Sequence, residues 1–401
     1  MLLGIGPDGP VPGRRVAVTG MGVVSCCGTG VEALWTGLQG PAPEGERRVP
    51  DFDVTRWFDT KEARQIDRFA QFAVAVADMA LQDAGPLDAD PERAGVVMGT
   101  GVGGFETLQN QVLVYGERGA RRISPRLVPM MMANAGAAAV SIRTGWHGPS
   151  ETITTACAAG THSIGYAARL VASGRLDVAI GGGSEAAMTE VGIAAFANMT
   201  ALSTTGHSRP FDIRRDGFVI TEGAGALVLE DWDRAVGRGA RIYAEITGSA
   251  STADSYHITA PAPGGGGAAA CMLLALEDAG LEPAAVGHIN AHGTSTPLND
   301  QAESEAIVKV FGDAAPPVTS TKGVTGHGLG AAGAIEAVAS VLSIRERLIP
   351  PTVGFEEPDP EITVSVVSGS AQPWEPRPVL SNSFGFGGHN GCLVISPVAD
   401  A

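Results

Sequence analysis

The chain has 401 residues, of which 44% are hydrophobic and 17% charged, and its length suggests two or three domain-sized units. Its formal net charge of −16, with no offsetting basic stripe, argues against a nucleic-acid partner. No apolar run is long enough to cross a bilayer, and the first ten residues do not have the basic region of a signal peptide. The composition therefore predicts a soluble cytoplasmic protein.

The predicted strands and helices alternate, and their order occurs twice along the chain. A loose, flexible tail is predicted over residues 1–14. Glycine-interrupted strands then begin at Arg15 and again at Arg241, and similar strand–helix units follow each of them. Alternating strands and helices predict α/β halves with mostly parallel sheets covered by helices. The two halves are placed at residues 15–238 and 239–401.

Cys157 lies at a predicted turn from strand to helix. Residues 151–155 before it are rich in β-branched side chains, and small apolar residues at helical spacing run from Ala158 to Ser173. Unpaired N–H groups and the positive end of a helix dipole favour a thiolate at such a turn. Cys157 is therefore a candidate nucleophile. The other four cysteines are interpreted as small buried thiols: Cys26, Cys27, Cys271 and Cys392.

Two histidine-containing loops lie in the second half of the chain. His292 follows an apolar strand, in the run N-A-H-G-T-S-T, and His327 ends the run T-K-G-V-T-G-H before a helix that contains Glu336. A third, glycine-rich loop covers residues 382–390. Because equivalent loops of two repeated halves surround one shared centre, these segments are expected to meet Cys157 there.

Four motifs, taken as a set, resemble those of a known enzyme family: T-A-C-A-A-G, N-A-H-G-T-S-T, T-K-G-V-T-G-H and N-S-F-G-F-G-G. They resemble the β-ketoacyl-acyl-carrier-protein synthases, the elongating condensing enzymes of the thiolase superfamily. The resemblance runs from about Arg15 to Ile395. It implies a thiolase-like α/β fold in which two duplicated halves form a five-layered αβαβα core. It implies no cofactor and no metal.

The resemblance implies a decarboxylative Claisen condensation. The Cys157 thiolate would hold an acyl chain as a thioester, and the carbanion equivalent from malonyl-carrier protein would attack it. His292 and His327 would stabilise the negative charge that decarboxylation develops. Lys322 and Glu336 are expected to form a polar network that orients His327, with a purely structural ion pair as the alternative.

The same resemblance assigns the remaining parts of the site. Backbone N–H groups of Cys157 and Phe386 would form an oxyanion hole, and Phe384 with Phe386 would gate the pocket. Leu108 is expected near the gate as pocket lining. Three threonines are assigned to the pantetheine arm and the tunnel mouth: Thr294, Thr296 and Thr259.

The expected partner is an acidic acyl carrier protein, loaded with acyl or malonyl groups. Its docking positions are assigned by resemblance to Lys61, Arg64 and Arg209, although Gln65 stands where a further basic residue is common. The alternative is that these are solvated surface charges. The chain is expected to form a homodimer, or a heterodimer with a homologous chain-length subunit.

Other condensing enzymes fit the sequence less well. A thiolase would need a second catalytic cysteine, and Cys392 lies outside that motif. An initiating enzyme pairs one histidine with an asparagine, whereas this chain has two histidines. A non-catalytic chain-length subunit usually lacks the nucleophile, which is present here.

The pathway is the remaining alternative. The pair Cys26-Cys27, together with Gly323 and His389, departs from the familiar family pattern. These departures favour the ketosynthase subunit of a type II polyketide or other specialised system, with housekeeping fatty-acid elongation as the alternative.

Overall fold

The structure is a computed structural model that describes residues 3–6, 9–43 and 47–398. Within these residues the strands, in chain order, are β1 (Leu3–Gly6), β2 (Gly9–Pro12), β3 (Val16–Ser25), β4 (Gly28–Thr29), β5 (Ala94–Gly99), β6 (Ser150–Ile153), β7 (Val178–Glu185), β8 (Gly223–Asp231), β9 (Ala244–Ala253), β10 (His288–Asn290), β11 (Val318–Thr319), β12 (Leu348–Ile349), β13 (Gln372–Pro373), β14 (Val379–Gly385) and β15 (His389–Ser396).

The α-helices of the described chain, in the same order, are α1 (Val31–Leu38), α2 (Thr60–Ala63), α3 (Arg68–Ala84), α4 (Phe105–Arg118), α5 (Leu127–Met131), α6 (Ala135–Thr144), α7 (Ala159–Ala172), α8 (Glu190–Asn198), α9 (Trp232–Gly237), α10 (Gly266–Ala279), α11 (Pro297–Phe311), α12 (Lys322–Thr325) and α13 (Ala332–Glu346). None of them is long and apolar enough to cross a membrane. Strands β1 and β2 pair with each other inside the predicted tail.

The main sheet contains two sets of five strands with the same pairing pattern. Its order is β11-β10-β14-β15-β9-β3-β8-β7-β5-β6, with β4 paired to β3. In the first set β6, β5 and β7 are parallel, whereas β8 and β3 are antiparallel. In the second set β11, β10 and β14 are parallel, whereas β15 and β9 are antiparallel. The predicted duplication is confirmed, but each sheet is mixed instead of mostly parallel.

The two sets join where β3 and β9 pair. Ala17 and Val18 of β3 lie opposite Glu245 and Ala244 of β9. Helix α3 packs on β3, β7 and β8, and α6 packs on β5 and β6. Helix α10 packs on β9, β14 and β15, with α11 beside it. The outer helices therefore cover the outer face of each sheet.

Helices α7 and α13 form the layer between the two sets of strands. Both contact strands of the first set and β14 of the second, and they contact each other. Every residue of α13 from Ala332 to Ile344 is buried, as expected for a helix that is enclosed on all sides. A Cβ on Gly160 of α7 would lie 2.8 Å from the backbone nitrogen of Ala334. Glycine at position 160 therefore permits the close contact between α7 and α13. With outer helices on both sides and these two helices in the middle, the predicted five-layered fold is confirmed.

Candidate active site

Cys157 lies in a short 3-10 turn, Ala156–Ala158, between β6 and α7. Ala156 has a positive φ of 50°, which a residue with a side chain adopts only at a backbone cost. The turn places the cysteine at the N-terminal end of α7, as the sequence predicts. Its side chain is 5% exposed. A Cβ on Gly385 would lie 3.1 Å from the Cys157 nitrogen, so glycine lets the C-terminal loop approach the thiol.

The structure brings both predicted histidines to this thiol. The His327 Nε2 atom lies 3.0 Å from Cys157 Sγ, and the His292 and His327 rings are 5.3 Å apart at 82°. One ligand atom from each of the three residues falls within a 4.8 Å cluster. A thiol next to two imidazoles is a donor set suited to proton transfer and to hydrogen bonding of a developing oxyanion.

The electrostatics of the thiol differ from the sequence prediction of a stabilised thiolate. Burial raises the pKa of Cys157 to about 11, and the Lys322 charge and the Phe386 N–H only partly offset this. Burial lowers the pKa of His292 and of His327 well below the ordinary value, and the Lys322 charge acts in the same direction. At neutral pH the resting cluster is therefore a neutral thiol beside two neutral imidazoles.

Lys322 and Glu336 form a buried ion pair, and the Lys322 side chain contacts His292. The Lys322 ammonium binds the Glu336 carboxylate, donates to the His292 carbonyl at 2.7 Å, and lies 3.3 Å from His292 Nδ1. An ammonium can only donate, so Nδ1 accepts and Nε2 carries the proton of His292. The sequence prediction placed this pair beside His327, whereas the structure places the Lys322 ammonium against His292.

The cluster could in principle accept a metal ion, because thiolate and imidazole are ligands that Zn²⁺ prefers. The Lys322 ammonium lies 3.3 Å from His292 Nδ1, however. A positive charge at that distance opposes a metal cation in the same pocket. The donor set therefore fits acyl chemistry better than metal binding.

Backbone donors and two phenylalanines complete the floor of the site. The N–H groups of Phe386 and of Cys157 itself are directed at the sulfur. The Phe384 ring lies 5.9 Å from the His292 ring at 68°, and the Phe218 ring lies 5.1 Å from the His327 ring at 83°. The glycine-rich loop thus places the Phe386 N–H at the sulfur and the Phe384 ring beside His292; the oxyanion-hole and gate roles stay predictions.

A cavity of about 740 Å³ leads from this cluster to the surface. Thr294 and Thr296 line it with hydroxyl oxygens 2.9 Å apart, and Thr259 lines it as well. Ile258, 78% exposed, and Leu298, 62% exposed, lie at its open end. All three predicted threonines therefore face one apolar channel that ends at Cys157.

Leu108 does not line this cavity; it lies on α4 and is partly buried. The predicted docking residues lie on two different elements. Lys61 on α2 and Arg64 just after it are exposed, whereas the Arg209 N–H donates to Ser295 Oγ at 2.8 Å. Of the three, Arg209 contacts the loop that carries the two cavity threonines.

Two buried glutamates of the site were missed at the sequence level. Glu303 accepts from the N–H groups of His292 at 2.8 Å and of Gly293 at 2.7 Å. Glu185 accepts from the N–H groups of Gly101 at 2.6 Å and of Gly330 at 3.1 Å. Burial raises the pKa of each carboxyl to about 7. Glu185 could have been recognised from sequence, because an acidic residue ends the apolar strand β7. No sequence feature distinguishes Glu303 within α11.

Comparison with known families agrees with the site. The family description "Beta-ketoacyl synthase, N-terminal domain" matches residues 37–235, and "Beta-ketoacyl synthase, C-terminal domain" matches residues 243–356. Together the two matches cover more than half of the chain. The chain belongs to the β-ketoacyl synthase family, and it is an acyltransferase of the ketosynthase type.

Two similar curated proteins share one name. The 3-oxoacyl-[acyl-carrier-protein] synthase 2 of Synechocystis sp. is 45% identical, with 94% of this chain and 96% of that protein covered. The synthase 2 of Staphylococcus aureus strain COL is 44% identical, with 95% and 98% covered. These relatives span nearly the whole of this chain.

Similar solved structures include enzymes of polyketide assembly. The ishigamide ketosynthase/chain length factor superposes with a TM-score of 0.91 at 37% identity, covering 96% of this chain and all of that one. A type II PKS acyl-carrier protein in complex with its ketosynthase bound to the hexaketide gives 0.89 at 33%, with 96% and 100% covered. The thiolase-like fold is thus shared with these two solved ketosynthases.

Proposed function

We propose that this ketosynthase condenses an acyl chain held on Cys157 with malonyl-acyl-carrier protein, releasing CO₂ and giving a 3-oxoacyl chain two carbons longer. The observation that carries the proposal is the Cys157 thiol 3.0 Å from His327 Nε2, with His292 in the same cluster. The relatives named 3-oxoacyl-[acyl-carrier-protein] synthase 2 support the same reaction.

In the first stage the acyl chain moves from the carrier to the enzyme. Because the pKa of Cys157 is raised to about 11, the thiol needs a base at neutral pH, and His327 Nε2 accepts its proton as sulfur attacks the thioester carbonyl. The N–H groups of Cys157 and Phe386 donate to the carbonyl oxygen as it becomes negative. The carbon–sulfur bond to the carrier then breaks, and the carrier thiolate takes the proton back from His327.

In the second stage the malonyl group loses its carboxylate as CO₂. The electron pair of the broken carbon–carbon bond moves onto the thioester oxygen, where His292 Nε2–H and His327 Nε2–H donate to it. Neutral imidazoles suit this role, and burial keeps the pKa of both low. The His327 Nδ1 atom has no hydrogen-bond partner in the described structure, so no hydrogen bond is lost when His327 releases its Nδ1 proton to water and takes one from water at Nε2 between the stages. The enolate carbon then attacks the acyl thioester, the bond from that carbonyl carbon to the Cys157 sulfur breaks, and the thiolate takes the proton of His327 Nε2–H, 3.0 Å away, while Nδ1 regains its proton from water.

The Lys322–Glu336 pair acts on the second stage through His292. Lys322 lies 3.3 Å from His292 Nδ1 and 2.7 Å from its carbonyl. This contact holds the proton on Nε2, where the malonyl oxygen needs a donor. Lys322 and Glu336 are therefore positioning residues for His292.

The cavity suits the pantetheine arm of a carrier protein. Thr294, Thr296 and Thr259 line a mostly apolar cavity, and their hydroxyls would give the amide groups of a pantetheine arm polar partners. Because the enzyme itself carries a net charge of −16, an acidic carrier needs local basic contacts. Lys61, Arg64 and Arg209 would provide them. The active assembly would be a homodimer, or a heterodimer with a homologous chain-length subunit.

For the pathway we propose a type II polyketide or other specialised system. The similarity to the ishigamide ketosynthase/chain length factor supports this assignment. So does His389, a departure from the family pattern that lies within the glycine-rich loop at the start of β15. The second candidate is fatty-acid elongation, and the 45% identity to the Synechocystis synthase 2 favours it.

Incubation with malonyl-carrier protein and acyl-carrier proteins of graded chain length tests the proposal. The purified chain should form 3-oxoacyl-carrier protein, detected by mass spectrometry, either alone or with a neighbouring homologue. Repeated extension that depends on such a homologue would support the polyketide assignment, and single extension by the chain alone would support fatty-acid elongation. No condensation product under either condition would overturn the proposed function.

A further inference from the structure

Two adjacent thiols outside the active site, Cys26 and Cys27, form the turn of the hairpin between β3 and β4. The pairing of Ser25 with Gly28 closes this turn. Both cysteines are partly exposed, whereas Cys157, Cys271 and Cys392 are buried. The sequence interpretation of Cys26 and Cys27 as buried thiols is therefore wrong, because a hairpin turn lies at the edge of the core and reaches solvent.

Cys26 contacts the segment that carries Lys322 and leads to His327. Cys26 Sγ donates to the carbonyl oxygens of Val324 at 3.6 Å and of Thr325 at 3.5 Å. The Arg47 guanidinium donates to the carbonyl oxygens of Lys322 at 3.1 Å and of Val324 at 2.8 Å. One thiol and one guanidinium thus hold the backbone of α12, which begins at Lys322.

The two thiols also interact with each other. The interaction between the two thiols, together with burial, raises the pKa of Cys26 well above its ordinary value, and the same interaction lowers the pKa of Cys27. The positive charge of Arg47 partly opposes the rise at Cys26 and adds to the lowering of the pKa of Cys27. A thiolate is the form of cysteine that binds soft electrophiles, and here a second thiol lies directly beside it.

We propose that Cys26 and Cys27 form a dithiol site for a thiophilic centre that takes two sulfur ligands, of the trivalent arsenical class, and that its occupation releases α12. Soft thiolate pairs select such centres. Adjacent Cα atoms lie about 3.8 Å apart, less than the roughly 4.4–6.8 Å of ordinary disulfides. A bridging atom between the two sulfurs therefore fits this turn better than a direct sulfur–sulfur bond does.

The binding step needs no oxidant or reductant. With phenylarsine oxide, two arsenic–sulfur bonds form while both thiol protons go to the arsenic-bound oxygen, which leaves as water; arsenic stays trivalent. The Cys26 sulfur then has no proton to donate to the carbonyl oxygens of Val324 and Thr325. A Cβ on Gly37 would lie 2.5 Å from Cys27 Sγ, so α1 leaves little room for a bound group on that side, and the hairpin moves away from α12, where the Cys26 hydrogen bonds have been lost.

The other cysteines provide internal controls. Cys271 and Cys392 interact with each other as well, but both are fully buried. Cys157 is a single thiol, and it forms only one arsenic–sulfur bond, which excess monothiol removes. Only a two-sulfur complex is expected to persist in excess monothiol, because the second bond forms within one molecule.

Intact-protein mass spectrometry with phenylarsine oxide in excess mercaptoethanol tests the binding. One phenylarsenic adduct is expected on the wild type, on Cys157→Ala and on Cys271→Ala, and a dithiol should remove it. Cys26→Ser and Cys27→Ser should each need about 10²-fold more reagent, the gain expected from a linked second ligand. An adduct that persists in both serine variants, or that is lost in Cys157→Ala, would overturn the proposal.

Hydrogen exchange tests the effect on α12 without using the enzyme activity. Amide exchange over residues 322–327 should rise when the wild type is labelled and should stay unchanged in reagent-treated Cys26→Ser. Labelled wild type should also decarboxylate malonyl-carrier protein more slowly, an expectation that rests on the proposed function. Unchanged exchange in the labelled wild type would refute the release of α12. If the wild type binds the arsenical as expected but does not decarboxylate malonyl-carrier protein even when unlabelled, the proposed function is contradicted and the dithiol site is not.

Discussion

Cys157 is a buried thiol whose proton has an acceptor 3.0 Å away, at His327 Nε2. Its position at the start of α7 favours a thiolate, but burial is the larger effect and raises its pKa to about 11. A free thiolate at rest would be attacked by oxidants and alkylating agents. Under the proposed function, a neutral thiol that is deprotonated only during attack would stay unreactive until an acyl thioester fills the cavity.

Alkylation by iodoacetamide should show this raised pKa. Below the pKa the thiolate fraction grows about tenfold per pH unit, so the alkylation rate of the Cys157 peptide should keep rising beyond pH 9. Peptide mass spectrometry gives the rate, and the same peptide in urea-unfolded protein, with an ordinary thiol pKa, is the control. A plateau near neutral pH in the folded protein would contradict a neutral resting thiol.

Removing one imidazole should separate the two stages. His292→Ala should still accept an acyl group on Cys157, but it should release CO₂ from malonyl-carrier protein about 10²–10³-fold more slowly, as for loss of one oxyanion donor. His327→Ala should slow the decarboxylation similarly, and it should also slow acylation because the base is lost. Labelled CO₂ release and acyl-adduct formation are measured in parallel. Undiminished CO₂ release in both variants would exclude the histidine roles.

At the scale of elements, the site depends on the close contact between α7 and α13. Helix α7 begins just after Cys157, and α13 carries Glu336. Both helices are enclosed between the sheets, so neither can move without disturbing a catalytic group. The contact at Gly160 fixes their separation, since a Cβ there would lie 2.8 Å from the Ala334 nitrogen and 2.9 Å from the Gly330 oxygen.

Substituting this glycine should therefore destabilise the protein. Gly160→Ala should lower the free energy of unfolding by about 1–3 kcal/mol, the usual cost of overpacking a core. The control is Gly116→Ala in α4, where no atom lies within 4 Å of the added Cβ and helix propensity should add about 0.5–1 kcal/mol. Denaturant unfolding monitors both variants. Equal stability changes in the two would contradict the helix-packing account.

At the scale of the whole molecule, two equivalent five-stranded sets place their loops around one centre. This arrangement could be predicted from sequence because strands β3, β5 and β6 have recognisable copies in β9, β10 and β11. The cluster of Cys157, His292 and His327 could also be predicted, since each residue ends or follows one of the repeated strands. The repeated strands and the motifs that follow them were therefore sufficient to predict the fold and the three clustered side chains.

Other features depended on three-dimensional burial and could not be predicted. The pKa of Cys157 is set by the atoms that enclose it, and no local motif encodes them. Lys322 precedes His327 by five residues in the chain, yet its ammonium reaches His292 at the end of a different strand. Glu303 holds the His292 backbone from within α11, where a single acidic residue looks like any solvated position. The exact bounds of the halves stay a prediction.

The most direct test of the account is the acyl adduct on Cys157. After incubation with an acyl-carrier protein, intact-protein mass spectrometry should show one acyl group on the wild type and on Cys271→Ala, and none on Cys157→Ala. Circular dichroism should show that all three proteins keep the same fold. An acyl adduct that persists on Cys157→Ala would contradict the assignment of Cys157 as the nucleophile.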